Sequence, residues 1–246
     1  MKKPTAVIVG VGALNSLGAA LGTLFAAKGF HVYLAGRTEE RLRAVADKIV
    51  TNGGTATAVV IDVADERQVI ELFETVQDAV GYCQPPSLVV FNVSSFARTP
   101  FRQITAVQFE ELWRVGCLAG FLVGREAAKA FSVTGGGTML FSGATASTRG
   151  KENYAHFASA KAGLRMVAQS MARELSPLGI HVAHIILDGE INRGIETAES
   201  KVNVRHRGEE GAMDFNDIAQ MYWQIHQQPR SAWTHEMDLR SCYEEF

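Results

Sequence analysis

Val9-Gly10-Val11-Gly12-Ala13-Leu14-Asn15-Ser16-Leu17-Gly18 lies near the start of a 246-residue chain, between a short β-branched run, Ala6 to Val9, and a helical stretch, Leu17 to Lys28, that closes at Gly29. Glycines at a strand-to-helix turn let the backbone come close to a phosphate, whose charge then rests on the free N–H groups of the helix N-terminus. The GxGxxG spacing fails, because Asn15 occupies the last glycine position. Taken alone the motif fits either a nucleotide-binding turn or a plain glycine-rich turn; its strand–turn–helix context points to a bound nucleotide.

The rest of the chain repeats that alternation. His31 to Ala35, Thr57 to Ile61, Leu88 to Asn92, Thr138 to Ser142 and His181 to Leu187 read as buried strands, with Ala232 to Leu239 as a last one. Glu39 to Asn52, Arg67 to Val80, Ala106 to Phe131, Glu152 to Ser176 and Asn216 to Gln227 read as helices. Strands alternating with helices of this length imply an α/β fold, a Rossmann-like doubly wound parallel sheet with helices on both faces. No repeat, low-complexity run or linker divides the chain, so residues 1–246 are expected to form a single dinucleotide-binding domain. Glu190 to Asp214 is polar and aperiodic and follows a strand's carboxyl end, where open α/β sheets bind ligands. It reads as a substrate loop or lid, or as a solvated loop.

A formal net charge of −2 gives no electrostatic footprint for a nucleic-acid or anionic-membrane partner, and a small-molecule substrate is expected instead. Cys83, Cys117 and Cys242 form no CxxC and no even framework, as in a cytoplasmic protein with reduced thiols. Met1-Lys2-Lys3 and the small apolar residues after it imitate a signal peptide, but Gly10, Gly12, Gly18 and Gly22 split the run into strand and helix. No apolar run approaches the roughly 20 residues of a membrane-spanning helix. No metal site is expected, since His226 and His235 stand apart from other ligating residues. No GxSxG nucleophile elbow is present.

The second strand ends Leu34-Ala35-Gly36-Arg37-Thr38. An acidic residue there would bind the ribose hydroxyls of NAD; Gly36 leaves room instead, and Arg37 can pair with a 2′-phosphate, which favours NADP(H) over NAD(H). Asp62, at the end of the third strand, could accept from an adenine amine or cap the next helix. On the helix expected from Glu152, Tyr154, Phe157 and Lys161 fall on one stripe. A separation of seven residues leaves Tyr154 and Lys161 roughly 20° apart in azimuth and roughly 10 Å apart along the axis. A phenol and an ammonium on one face could form an acid/base pair; the benzyl group between them cannot donate a proton. His156 is turned roughly 140° from Lys161 and should face a neighbour or solvent. Ser142 and Thr145 could hydrogen-bond a substrate but are poor acids.

In this order, the glycine turn, Leu34-Ala35-Gly36-Arg37, Asp62-Val63, Ala158-Ser159-Ala160-Lys161-Ala162 and Ala172-Arg173-Glu174-Leu175-Ser176-Pro177-Leu178-Gly179-Ile180 resemble the short-chain dehydrogenase/reductase superfamily across essentially the whole chain. The resemblance implies a cofactor-binding set of Gly10, Gly12, Asn15, Ser16, Leu17, Gly18, Arg37, Thr38, Asp62, Val63, Asn92 and Lys161. It also implies a homodimer or homotetramer built on the two long helices. The departures concern chemistry. The family's TGxxxGxG turn falls on Val11, Gly12, Ser16 and Gly18, and its NNAG on Phe91-Asn92-Val93-Ser94. Its catalytic Asn, Ser and Tyr fall on Gly116, Ala144 and Phe157, so that only Lys161 remains. The enoyl-thioester reductase branch departs similarly, with GxxxxxSxA and YxxMxxxK; here Gly10, Ser16 and Gly18 give GxxxxxSxG, and Tyr154, Phe157 and Lys161 give YxxFxxxK. That comparison makes Tyr154 and Lys161 the catalytic candidates. Two functions remain open: hydride transfer to a carbonyl or conjugated C=C, or cofactor binding without turnover as a sensor or an oligomer partner.

Overall fold

The computed structural model describes residues 2–79, 83–192 and 211–244. Its strands are β1 (Lys3–Val9), β2 (His31–Gly36), β3 (Thr55–Val60), β4 (Cys83–Phe91), β5 (Gly137–Ser142), β6 (Ile180–Leu187) and β7 (Glu236–Leu239). Its α-helices are α1 (Leu17–Ala27), α2 (Glu39–Thr51), α3 (Glu66–Asp78), α4 (Ala106–Trp113), α5 (Ala119–Thr134), α6 (Ala155–Leu175) and α7 (Phe215–His226). The strands form one parallel sheet in the order β3-β2-β1-β4-β5-β6-β7. The chain therefore builds outward in one direction from β1 and in the other from β4, and a crevice opens between their carboxyl ends.

Period-two alternation along the strands feeds two cores. Ala6 and Ile8 of β1 face one side with Leu21 and Phe25 of α1, Leu42 and Ile49 of α2, and Tyr222 and Ile225 of α7. Val7 and Val9 face the other side with Leu72 and Phe73 of α3, Val123 and Phe131 of α5, and Leu164 and Ala168 of α6. β6 is buried throughout, as a parallel strand covered on both faces must be.

Several boundaries differ from those the sequence implies, each for a local reason. β4 starts at Cys83, before Pro85-Pro86, and its register against β1 shifts around Thr5, where a strand that lacks two N–H donors takes up the irregularity. The helix expected from Ala106 to Phe131 is interrupted by a π-helical turn at Arg114–Leu118. The helix expected from Glu152 begins only at Ala155, because Asn153 adopts a left-handed φ of 68° and Tyr154 is the N-cap. The last strand is confined to Glu236–Leu239. Most of the expected 190–214 loop lies outside the described residues; at its base Ile191 and Met213 form a parallel bridge. Among the described residues no helix is long and apolar enough to cross a membrane.

Candidate active site

The glycine turn is built for close approach. Gly10 has a φ of +98°, and a Cβ there would lie 2.6 Å from the Asn92 carbonyl oxygen. A Cβ at Gly18 would lie 2.6 Å from the Gly10 oxygen, so α1 is pressed onto the turn that precedes it. Ser16 is the α1 N-cap, and its Oγ accepts from Ala19 N–H at 3.3 Å. Among the described residues no acceptor serves the N–H groups of Leu17 and Gly18, which leaves them for an outside anion. Asn15 is exposed beside them, and Gly12 lies half-buried at the rim. Asn92 plays a structural part as well: its N–H donates to Val9 O at 2.8 Å and its Nδ2 to Gly10 O at 3.3 Å, tying the end of β4 to the turn.

Around the same crevice, Arg37 is exposed and has no ion-pair or hydrogen-bond partner among the described residues. Thr38 is the α2 N-cap, yet its hydroxyl makes no capping bond. The nearest acidic side chain in sequence, Glu39, is held by Arg43 at 2.5 Å. Of the two roles open to Asp62, the cap is excluded, because Asp65 caps α3 through the N–H groups of Arg67 and Gln68. Asp62 is exposed and accepts from Ala64 N–H at 3.0 Å, with Val63 buried behind it. A cradle that side chains would fill, free helix N–H groups and an unpaired arginine together fit a phosphorylated dinucleotide.

Lys161 is 3% exposed, and its Nζ donates to the backbone oxygens of Ser142 at 2.9 Å and Val93 at 3.3 Å. Burial pushes its pKa down to about 8. Phe157, one turn earlier on α6, is buried. Tyr154 stands at the start of α6, not inside it. As the N-cap, with φ −121°, it accepts the first helical bond from Ala158 N–H at 2.8 Å, and its ring packs against Phe96 at 5.4 Å. Its hydroxyl has no partner among the described residues. His156 is fully buried with both ring nitrogens unpartnered, so its side chain faces a neighbouring element and not solvent.

The other positions where the resemblance expects catalytic groups are occupied inertly. Gly116 lies in the π-helical turn, where a Cβ would come within 2.9 Å of the Ala160 methyl. Ala144 begins a short 3-10 turn, Thr145–Ser147, after β5. Ser142 and Thr145 are both engaged and so are poor candidates for holding a substrate: Ser142 Oγ is 2.8 Å from the buried Tyr222 hydroxyl, and Thr145 Oγ1 donates to Asp188 at 2.5 Å.

Two side-chain systems that the sequence did not suggest support this turn. Asp188, buried at the end of β6, takes Thr145, Arg149 at 2.6 Å and Arg240 at 2.8 Å, and so joins the β5 turn to the chain after β7. An acidic residue directly after the apolar run Ile185-Ile186-Leu187 was the available signal. The second system is a seam in which Ser147 Oγ lies 3.4 Å from His184 Nε2 and His184 Nδ1 lies 3.1 Å from Glu236 Oε2. Arg165 grips the same carboxylate with two bonds of 2.6 and 2.7 Å. The order serine, histidine, carboxylate imitates a hydrolytic triad, but Ser147 is 3% exposed and His184 is fully buried in mid-strand. Burial holds the His184 pKa down to about 4, against the opposing pull of Glu236. The seam fixes the turn's position and exposes no nucleophile.

The sequence profile of the short chain dehydrogenase family matches residues 5–200. A solved short-chain dehydrogenase from Rhodopseudomonas palustris is 36% identical over 98% of this chain and 99% of its own, with a TM-score of 0.82. Elsinochrome reductase 1 of Elsinoe fawcettii is 29% identical over 168 residues, which cover 68% of this chain and 61% of that protein. The 3-oxoacyl-[acyl-carrier-protein] reductase MabA of Mycobacterium bovis is 28% identical over 182 residues, 72% of this chain and 70% of its own length.

Proposed function

The chain belongs to the short chain dehydrogenase family, and from that premise we propose that it is a single-domain, NADP(H)-dependent reductase with a non-standard active site, acting on a carbonyl or conjugated C=C of a small molecule. The observation that carries this reading is Lys161, an amine buried at the carboxyl end of the sheet and held by two backbone oxygens beside the glycine crevice.

Gly10, Gly12 and Gly18 admit the pyrophosphate, and the free N–H groups of Leu17 and Gly18 neutralise it, with Asn15 and Ser16 at its side. Arg37 and Thr38 hold the 2′-phosphate; Asp62 and Val63 receive the adenine; Asn92 keeps the turn open. The nicotinamide supplies the hydride when bound. With the one N–H that Ser142 O and Val93 O leave free, Lys161 would hold a ribose hydroxyl, and its proton would pass through that hydroxyl and a water to the oxygen that gains charge, since Phe157 has none to give. Tyr154 is a second donor, reaching the substrate oxygen through its unpartnered hydroxyl. A positioned acid contributes about 10²–10⁴-fold in rate, so the loss of the usual phenol slows such a reaction without abolishing it.

One observation favours a second reading. Phe157 and Phe96 pack edge to face at 5.4 Å beside Lys161, an apolar closure suited to binding without turnover. Calorimetric titration with NADPH and NADH, followed by turnover assays, separates the two. Arg37→Asp should weaken NADPH about tenfold or more relative to NADH, and an unchanged ratio would remove the 2′-phosphate assignment. NADPH binding without turnover on any carbonyl or enoyl thioester would establish the binding module; binding of neither nucleotide would end both readings. The three cysteines are free thiols, in keeping with a cytoplasmic setting. The exposed apolar side chains of α4, α5 and α6 support a homo-oligomer.

A further inference from the structure

Next to Lys161 the chain spends three aromatic rings on one small wall. Phe96 lies 5.4 Å from Tyr154, tilted by 43°, and 5.4 Å from Phe157 at 74°, an edge-to-face contact. The wall is tied in place from behind. Thr99 N–H donates to Asn153 O at 2.9 Å and so joins the loop after β4 to the approach to α6; Asn153 holds a left-handed conformation just before Tyr154, the N-cap of α6. Phe157 is one turn from Lys161, and Lys161 itself bonds the oxygen of Val93, three residues before Phe96. Phe96 is nevertheless 64% exposed, so one ring of the cluster is presented to solvent and not used in the core. Leaving such a ring uncovered gives up the burial that the other two rings have gained.

Charge complements the rings. The Arg98 guanidinium lies 5.9 Å from the centre of the Tyr154 ring. The two joined segments also carry Arg102, Arg149 and Lys151 against Glu152, so cations outnumber carboxylates along them; among the described residues Arg149 pairs with Asp188.

We infer that Phe96, Tyr154 and Phe157 form the substrate-recognition wall and that the substrate is a planar aromatic carbonyl compound bearing an acidic group, its ring against Phe96 and its charge toward Arg98. This rests on the reductase reading, with Lys161 at the reacting end. The wall also accounts for the phenylalanine at 157: in that position a ring that binds replaces a phenol that reacts, and Tyr154 keeps a hydroxyl at the same wall.

The test is equilibrium binding of 2-naphthoate and of cyclohexanecarboxylate, with and without saturating NADPH, to the full chain and to Phe96→Ala, Phe96→Trp and Arg98→Gln. Phe96 is exposed, so its variants should fold, and their NADPH affinity reports on that independently. The naphthoate should bind about tenfold tighter than the alicyclic acid, a preference lost in Phe96→Ala and kept in Phe96→Trp. Arg98→Gln should weaken the naphthoate about threefold. Equal affinity for the two acids, or a naphthoate affinity that Phe96→Ala or Arg98→Gln leaves unchanged, overturns the proposal; if NADPH still binds, the reductase reading survives that result. Phe96-dependent naphthoate binding in a protein that takes no NADPH would instead keep the wall and remove the reductase.

Discussion

Lys161 would keep its charge in water well above neutral pH, but burial brings its pKa to about 8, close enough to the working range to decide a proton balance. The direction follows from the reaction. Reduction of a carbonyl consumes a proton, so the donor must be protonated, and the rate should be level below about pH 8 and fall about tenfold per unit above it. Lys161→Met should remove that inflection along with most of the rate, and a profile with the same inflection in the variant would take the proton away from Lys161. Tyr154 has the opposite standing, with a hydroxyl that nothing among the described residues holds. Tyr154→Phe keeps the ring against Phe96 and deletes only the donor. Turnover falling about 10²-fold with unchanged NADPH binding would make it the acid, and unchanged turnover would leave it as part of the wall.

At the level of the elements, the position of the turn after β5 depends on Asp188. Its carboxylate is buried and shared by Thr145 and Arg149 of that turn and by Arg240, far away in the chain. Asp188→Ala removes the buried carboxylate that two arginines share, leaving Arg240 with Asp238, and should cost about 3 kcal/mol, read as a lower midpoint in urea; Asp188→Asn should recover part of it through Thr145. A midpoint that does not move in Asp188→Ala would reduce the cluster to surface decoration. The same residues show what the sequence could and could not disclose. Strand and helix types, the parallel sheet and the glycine crevice were legible, because apolar periodicity and glycine at a strand-to-helix turn are local signals. Lys161 was legible for the same reason, as the polar end of an apolar face. The start of α6 was set three residues early because periodicity extrapolates a helix backward and cannot see Asn153 break it. The Asp188 cluster and the Ser147–His184–Glu236 seam join residues 37 or more positions apart, through strand neighbours that the sheet order alone brings together. The aromatic wall was half visible: Tyr154 and Phe157 announce themselves on α6, whereas Phe96 belongs to an irregular loop with no period to read.

For the whole molecule, a buried and a half-buried histidine set an acid limit. Burial holds His184 and His226 neutral in the fold down to about pH 4, while the unfolded chain protonates them near 6.5. Between those values the unfolded state binds more protons, so their stabilisation is complete above about pH 6.5 and drains away as the pH falls to about 4, at most about 3 kcal/mol for each. Thermal midpoints that stay flat from pH 7 to 4.5 would mean that these rings are protonated or solvated in the fold. The proposed assembly would use a different face. Val107, Phe109 and Trp113 of α4, Phe121 of α5 and Met166 of α6 are exposed on helices that pack side by side, and an apolar surface of this kind is what a self-complementary two-fold contact buries. Light scattering behind a sizing column should therefore give two or four times the 26.7 kDa of one chain. Phe121→Glu with Met166→Glu should bring the mass back to that of one chain while leaving NADPH binding intact, since neither side chain reaches the glycine crevice or Lys161. A wild-type protein that elutes as a monomer at micromolar concentration would remove the assembly and leave that apolar face to another partner.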